Sequence, residues 1–360
     1  MKLKFLFLTT ILFITATFLS ACAGGATVAS SWPGLVVDTD TAYVANNRFV
    51  HAINLANGSQ KWQYPAEPDN KFSVFADPAI TSDGQLIVGG YNKILYSLNP
   101  ATGQLNWQFT DATNNYIAPP LATNKGIFAA NADNNVYALN SSGTLVWTST
   151  FEDEVWAQPL ADQDCDCLYL SSMGHTVFSL NPDDGSIIWQ SEELGGSVVG
   201  VPVLSPEKVL YVGTFGSEII ALNAQNGEEI WGVPTEDMIW SGPTLIEDRL
   251  YFGDKSGNFY AFSAKDGSTI WKITSDNLDG PIIGSPLVDG DTIYFGTEDG
   301  TLFALDTSGN VKWKQTVGGP IYPTPRLAGD LILVAPMKVD ELLIAFTKDG
   351  TRQWSFVPAK

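Results

Sequence analysis

Histidine and cysteine are both scarce, with two His and three Cys among 360 residues. Sites that draw on several imidazoles or thiolates, such as a zinc cluster or a His-rich redox centre, are nearly excluded by that count. Basic residues are few as well: 19 Lys and Arg stand against 39 Asp and Glu, a net charge of −20. A surface so acidic repels phosphate backbones, and nucleic acid is not an expected partner. Beyond the N-terminal segment no run reaches eighteen apolar residues, so the body of the chain offers no membrane-spanning helix. Sustained i, i+3, i+4 hydrophobic spacing is missing there too, as are a Ser-centred elbow and a phosphate-cradling Gly loop. What the chain does have is 44% apolar and 12% aromatic residues, with eleven Trp, against 16% charged. That supports a large buried core and excludes wholesale disorder.

Lys2 and Lys4 precede an uncharged apolar stretch from Phe5 to Phe18. At about fifteen residues it falls short of the ~20 that span a bilayer and has the dimensions of a secretory signal. It ends in Leu19-Ser20-Ala21-Cys22-Ala23-Gly24, which resembles the bacterial lipobox, where small residues precede the Cys that becomes the first mature residue. The resemblance implies a lipoprotein signal peptide over residues 1–21, a diacylglyceryl thioether on Cys22 and acylation of its freed amine. Residues 22–31 then form the lipidated N-terminus and a short linker. Several acyl chains, at about 0.8 kcal/mol per buried methylene, anchor a protein stably to a membrane surface. The expectation is an exported protein on the cell envelope, at the periplasmic face of an outer membrane or on the outer cell surface.

Gly followed four residues later by Trp recurs eight times: Gly58/Trp62, Gly103/Trp107, Gly143/Trp147, Gly185/Trp189, Gly227/Trp231, Gly267/Trp271, Gly309/Trp313 and Gly350/Trp354. Successive Trp lie 40 to 45 residues apart, a period that marks a β-propeller or a helical array. The seventh copy decides between them. It contains Ser285-Pro286-Leu287, Thr292 to Gly296, Thr301 to Leu305 and Val311-Lys312-Trp313, four short β-branched and aromatic runs separated by Gly, Asp and Asn. Such runs are strands joined by tight turns. Ile293-Tyr294-Phe295 and Leu302 to Leu305 are apolar without alternation, which requires cover on both faces. Propeller blades provide it, because each sheet packs between two neighbours. The expected fold is therefore all-β, one eight-bladed β-propeller of four-stranded antiparallel blades over residues 32–360. Each repeat Trp wedges against an adjacent blade, and truncation of a fully buried one costs about 3–5 kcal/mol. Every blade draws on its own contiguous stretch, so the ring closes by packing alone.

The unit Gly296-Thr-Glu-Asp-Gly300-Thr-Leu-Phe-Ala-Leu-Asp306 with Gly309 to Trp313 resembles the repeat named for pyrroloquinoline-quinone enzymes, and Gly213 to Trp231 matches it as well. Two groups carry such repeats. Quinoprotein dehydrogenases are longer, and place an adjacent Cys pair over the quinone beside a bound calcium. Here Cys165-Asp166-Cys167 is not adjacent and Cys-x-x-Cys-His is absent. The other group is lipoproteins, among them the propeller subunit of the outer-membrane β-barrel assembly machinery, and lipobox, size and acidity are similar to it. That resemblance implies a non-enzymatic, lipid-anchored scaffold without cofactor. It would dock protein partners, such as a β-barrel assembly protein, as one copy within a larger complex. The alternatives are a quinone-binding dehydrogenase relative and a surface sensor or glycan-binding module.

Residues that the repeat does not explain are the candidates for function. Phe75, Trp156, Trp240 and Tyr322 each stand three positions before a repeat Pro, at the start of an innermost strand, where aromatics converge on one mouth of the channel as a candidate partner surface. Glu152-Asp153-Glu154, Glu192-Glu193 and Glu236-Asp237 lie in connections on that side, with Asp254 and Glu298-Asp299 in nearby turns, and such a face steers a basic partner. Asp162-Gln-Asp164-Cys-Asp166-Cys167 alternates Asp as calcium loops do but lacks their Gly and closing Glu, so no metal is expected; the two thiols are a candidate disulfide. His51 and His175 are expected to be structural.

Overall fold

Strand-forming runs alternating with Gly-, Asp- and Asn-containing turns fold into meanders. In the first, β1 (Gly34–Asp38), β2 (Thr41–Asn46), β3 (Phe49–Asn54) and β4 (Gln60–Tyr64) pair antiparallel in chain order. The computed structural model describes residues 31–359, and the lipobox with Cys22 lies outside them. Seven further meanders follow over 79–109, 121–150, 160–190, 203–234, 244–273, 287–316 and 326–356. The described residues thus form the expected eight-bladed, all-β propeller, each sheet contiguous in sequence.

The middle strands are buried on both faces, as their unbroken apolar runs require: Ile293, Phe295, Leu302, Ala304 and Leu305 are all 0% exposed. Eight apolar clusters fill the gaps between adjacent sheets. The one between blades seven and eight joins Tyr294, Leu302 and Ala304 to Ile332, Val334 and Phe346. Each such large side chain contributes about 1.5–3 kcal/mol on burial.

The repeated Gly and Trp are partners, but across blades. Trp62 of blade one lies against Gly103 of blade two, where an added Cβ would come within 2.6 Å of the indole. The same seating continues round the ring, through Trp189 on Gly227 and Trp271 on Gly309, to Trp313 on Gly350. Each of the eight glycines has φ between 70° and 89°, where a side chain is strained, so the turn and the close approach both call for Gly. Seven of the eight indoles also donate Nε1–H to a carbonyl of the next blade, as Trp62 does to Pro100 at 2.8 Å and Trp147 to Pro182 at 2.9 Å. Trp189 and Trp271 donate in the same way to Ala224 O and Thr307 O, each at 3.0 Å.

Burial of these rings is uneven. Trp147 alone of the eight is buried outright. Trp62, Trp107, Trp189, Trp231, Trp271, Trp313 and Trp354 are all half-buried. The reason is their place on the outermost strand of each blade. The indole seats on the neighbouring turn, and part of the ring stays open at the rim. Truncating Trp189 or Trp271 should therefore cost less than the about 3–5 kcal/mol of a fully buried ring.

Packing alone does not close the ring. Between blades eight and one, Leu35, Val44 and Ile53 do pack on Leu333, Leu343 and Phe356. Trp354 also donates to Leu55 O at 2.9 Å. A polar clasp is added on the channel side. Arg326 of blade eight donates to Leu35 O at 3.1 Å and pairs with Asp77 of blade two, whose Oδ1 accepts Leu35 N–H at 2.8 Å. Blade one is held through both backbone groups of one residue, by side chains from the blades on either side.

Candidate functional site

The connection into each blade and the turn between its second and third strands meet at one mouth of the channel. The turn N–H of a blade bonds to the connection that leads into that same blade: Tyr91 N to Ser73 O at 2.7 Å, Met173 N to Glu154 O at 2.9 Å, Phe215 N to Ser197 O at 2.9 Å, Glu298 N to Pro281 O at 2.8 Å. These bonds fix the backbone from which the candidate aromatics project.

Two of those aromatics come together, with a third that sequence reasoning missed. Trp32 meets Tyr322 edge-on at 5.7 Å and Trp240 at 6.3 Å, and Trp240 packs on Phe215 at 4.8 Å. Register explains the omission. Val36 pairs with Tyr43 as Thr244 pairs with Tyr251, so Trp32, four residues before Val36, is the blade-one counterpart of Trp240. Blade one has Leu35 where its relatives have Pro, which hid the position. Trp32, Trp240 and Tyr322 are half-buried, so their remaining faces are available to a ligand. Trp156 is half-buried too, stacks on none of them, and keeps its Nε1 buried without a partner among the described residues. Phe75 is corrected: it is 2% exposed, packed on Tyr91 at 4.9 Å, and offers a partner no surface.

Beside this trio the Tyr322 hydroxyl donates to Glu298 Oε1 at 2.8 Å, and Lys255 donates to Glu298 Oε2 at 2.8 Å. Burial and then the Glu298 carboxylate push the Tyr322 phenol up to about 12. Lys255 and the phenol hold Glu298 below the usual carboxylate range.

The acidic candidates divide into exposed and neutralised groups. Glu152, Asp153, Glu192 and Glu193 are exposed around a cleft of about 670 Å³ between the outer parts of blades three and four. Glu154 is half-buried next to them. Glu236 pairs with Lys272, and Asp237 accepts from Ser256 at 2.8 Å. Asp254 is corrected as a surface charge. It is 0% exposed and accepts from Asn258 N–H, Asn258 Nδ2 and the Tyr260 hydroxyl at 2.8, 2.9 and 2.7 Å, which braces a turn.

On the far side of blade four, Cys165 and Cys167 are joined in a disulfide. Ligand atoms of Asp162, Cys165 and Cys167 fall within 4.8 Å of one another, but the sulfurs are bonded together and both Asp162 oxygens accept from Lys208 at 2.9 Å. His51 is 2% exposed between Phe49 and Phe356, and burial, opposed by its bond to Gln60, depresses its pKa to about 4. His175 sits in its turn with Nδ1 3.5 Å from Glu193. The two rings lie in different blades.

The sequence profile of the family described as outer membrane protein assembly factor BamB matches residues 19–117, 49–192, 116–237, 173–286 and 255–360 in overlapping stretches. The chain belongs to that family. The assembly factor BamB of Yersinia pestis is 22% identical over 84% of this chain and 78% of its own length. The crystal structure of BamB from Moraxella catarrhalis shares the fold, with a TM-score of 0.72 at 18% identity, covering 86% of this chain and 92% of that one. The repeat also extends to a protein named for catalysis: the tetrathionate hydrolase of Acidithiobacillus ferrooxidans is 24% identical over 42% of this chain and 36% of its own length.

Proposed function

We propose that this protein is a lipid-anchored scaffold of the outer-membrane protein assembly machinery, which docks protein partners at the aromatic and acidic mouth of its propeller. Membership of the assembly-factor family carries the reading. The mouth supports it chemically. Trp32, Trp240 and Tyr322 present rigid rings that lose little conformational entropy on contact, the type of side chain that dominates binding energy at interfaces. The carboxylates of Glu152, Asp153, Glu192 and Glu193 would speed the approach of a basic partner, and salt would weaken that effect. The chain acts by presenting a surface, and its many interblade contacts keep that surface in one shape.

The test is affinity capture of the full-length protein and its Trp240→Ala and Trp156→Ala forms from detergent-solubilised native membranes. Capture of a β-barrel assembly protein by the wild type, weakened at least tenfold by Trp240→Ala with little change in melting temperature, supports the reading. Undiminished capture, or a variant that simply unfolds earlier, overturns the role given to the mouth. Anchoring is tested separately: Cys22→Ser should release the protein from the membrane fraction, and retention would refute lipidation at that residue.

A further inference from the structure

The turn between the inner strand Leu160–Asp162 and the second strand Cys167–Ser171 of blade four spans four residues between the paired Asp162 and Cys167, as the turn of blade three does between Ala122 and Ile127. Both propeller cysteines belong to this turn. Their disulfide bridges residues two apart at the end of a hairpin that the strand ladder already closes. Stabilisation by a disulfide grows with the loop it closes, and here the loop is minimal, so stability is a weak account of the bond. The two sulfurs also differ in access. Cys165 is exposed and Cys167 is 4% exposed, packed in the cluster between blades four and five.

The turn is pinned independently of the sulfur bond. Lys125 of blade three pairs with Asp166 at 2.7 Å and Asp183 at 3.0 Å. Lys208 of blade five pairs with Asp162 at 2.9 Å and Asp164 at 2.7 Å. Opening the disulfide therefore leaves three ion pairs, through Asp162, Asp164 and Asp166, holding the hairpin to its neighbours. An exposed disulfide in a frame that survives its cleavage belongs with labile, exchanging disulfides more than with structural ones.

We propose that Cys165–Cys167 is a redox-active disulfide that accepts two electrons from thiols, with Cys165 as the sulfur attacked. A donor thiolate forms a bond to Cys165 Sγ; the S–S bond breaks, its electron pair leaves on Cys167 Sγ, and that thiolate takes up a proton. A second donor thiolate then attacks the donor sulfur of the mixed disulfide and releases Cys165 as the other thiol. The donor ends as a disulfide and the propeller as a dithiol, with atoms and electrons in balance. The substrate class is an accessible thiol pair, from one dithiol or from two molecules of a small monothiol. The inference stands apart from the docking proposal, because the turn is on the opposite side of the disc from the mouth.

The purified full-length protein, folded and without denaturant, is equilibrated anaerobically with glutathione buffers of graded reduced-to-oxidised ratio or with dithiothreitol. Free thiols at Cys165 and Cys167 are then counted by alkylation and mass spectrometry. Half-reduction within the glutathione series, with unchanged Trp fluorescence, supports the site; reduction by dithiothreitol alone identifies a dithiol as the donor. Cys167→Ser should form a mixed disulfide with oxidised glutathione at Cys165 at least tenfold faster than Cys165→Ser does at Cys167. A bond that resists both reagents until the protein unfolds, or equal rates for the two variants, overturns the proposal. So does recovery of two free thiols from aerobic, oxidised buffer.

Discussion

Trp354 of blade eight rests on Gly58 of blade one, so close that a Cβ on Gly58 would lie 2.6 Å from the indole Cε3. This contact joins the first and last blades as the equivalent contacts join all the others, and it separates two effects of a Gly substitution. Gly290 has a similar φ of 59° but open space around its missing Cβ. Gly290→Ala should cost about 1 kcal/mol for left-handed backbone alone. Gly58→Ala adds displacement of a half-buried Trp at the closure and should cost about 3 kcal/mol or more. Equal losses on chemical denaturation would show that the indole is not what Gly58 accommodates.

The clasp on the channel side predicts energetic coupling between residues 249 positions apart. Asp77→Asn and Arg326→Met should each lower stability, and a double-mutant cycle should return about 1 kcal/mol of coupling, modest because both side chains reach solvent. Asp77→Ala should cost more than Asp77→Asn, since it also takes the acceptor from the Leu35 N–H. Strict additivity would mean that closure rests on apolar packing after all.

His51 makes stability depend on pH in a window set by its own two pKa values. Its ordinary value is 6.5 and burial lowers it to about 4, so the unfolded chain binds the proton more tightly. The contribution is fully present above pH 6.5 and is lost as pH falls toward 4; at pH 5 the loss is about 2 kcal/mol. Urea denaturation at pH 7.5 and pH 5.0 should show that loss in the wild type. It should be absent from His51→Phe, which keeps a ring between Phe49 and Phe356.

The architecture was legible in the chain because its two diagnostic residues do one job eight times, and a repeated Gly-to-Trp spacing survives where the rest of each copy drifts. The pairing itself was not legible. Gly103 and Trp107 stand four apart in sequence, yet Gly103 receives Trp62 and Trp107 goes to Gly143, so contact skips a blade's length. Nor was the depth of the rings, since a Trp such as Trp189 or Trp271 reads the same in sequence whether one face or both are covered. Single departures from the repeat hid the rest. Leu35 in place of Pro concealed Trp32, and Arg326, at the register position held by Val36 in blade one and Thr244 in blade six, gave no sign that its partner lay across blade one. Burial also reversed two surface assignments. Phe75 and Asp254 carry the same kind of side chain as the half-buried Trp240 and the exposed Glu152, and only the contacts made in the fold, Tyr91 for Phe75 and Asn258 and Tyr260 for Asp254, decide which of them reaches water.

Lys208 provides the last prediction, and its sign is informative. Burial disfavours the Asp162 carboxylate, but the Lys208 ammonium, the Asp164 N–H and the Tyr169 hydroxyl outweigh it and hold its pKa below the ordinary value. Lys208→Met removes the ammonium and leaves a carboxylate whose side chain is 4% exposed without its counterion. At pH 7 the variant should be less stable than the wild type. The pKa of Asp162 in the folded variant should then rise above its unfolded value, so protons favour folding. Stability of the variant should partly recover between pH 7 and pH 5, after allowance for the His51 loss measured in the wild type. A variant that tracks the wild type through that range would show that Asp162 and Lys208 do not depend on each other for charge.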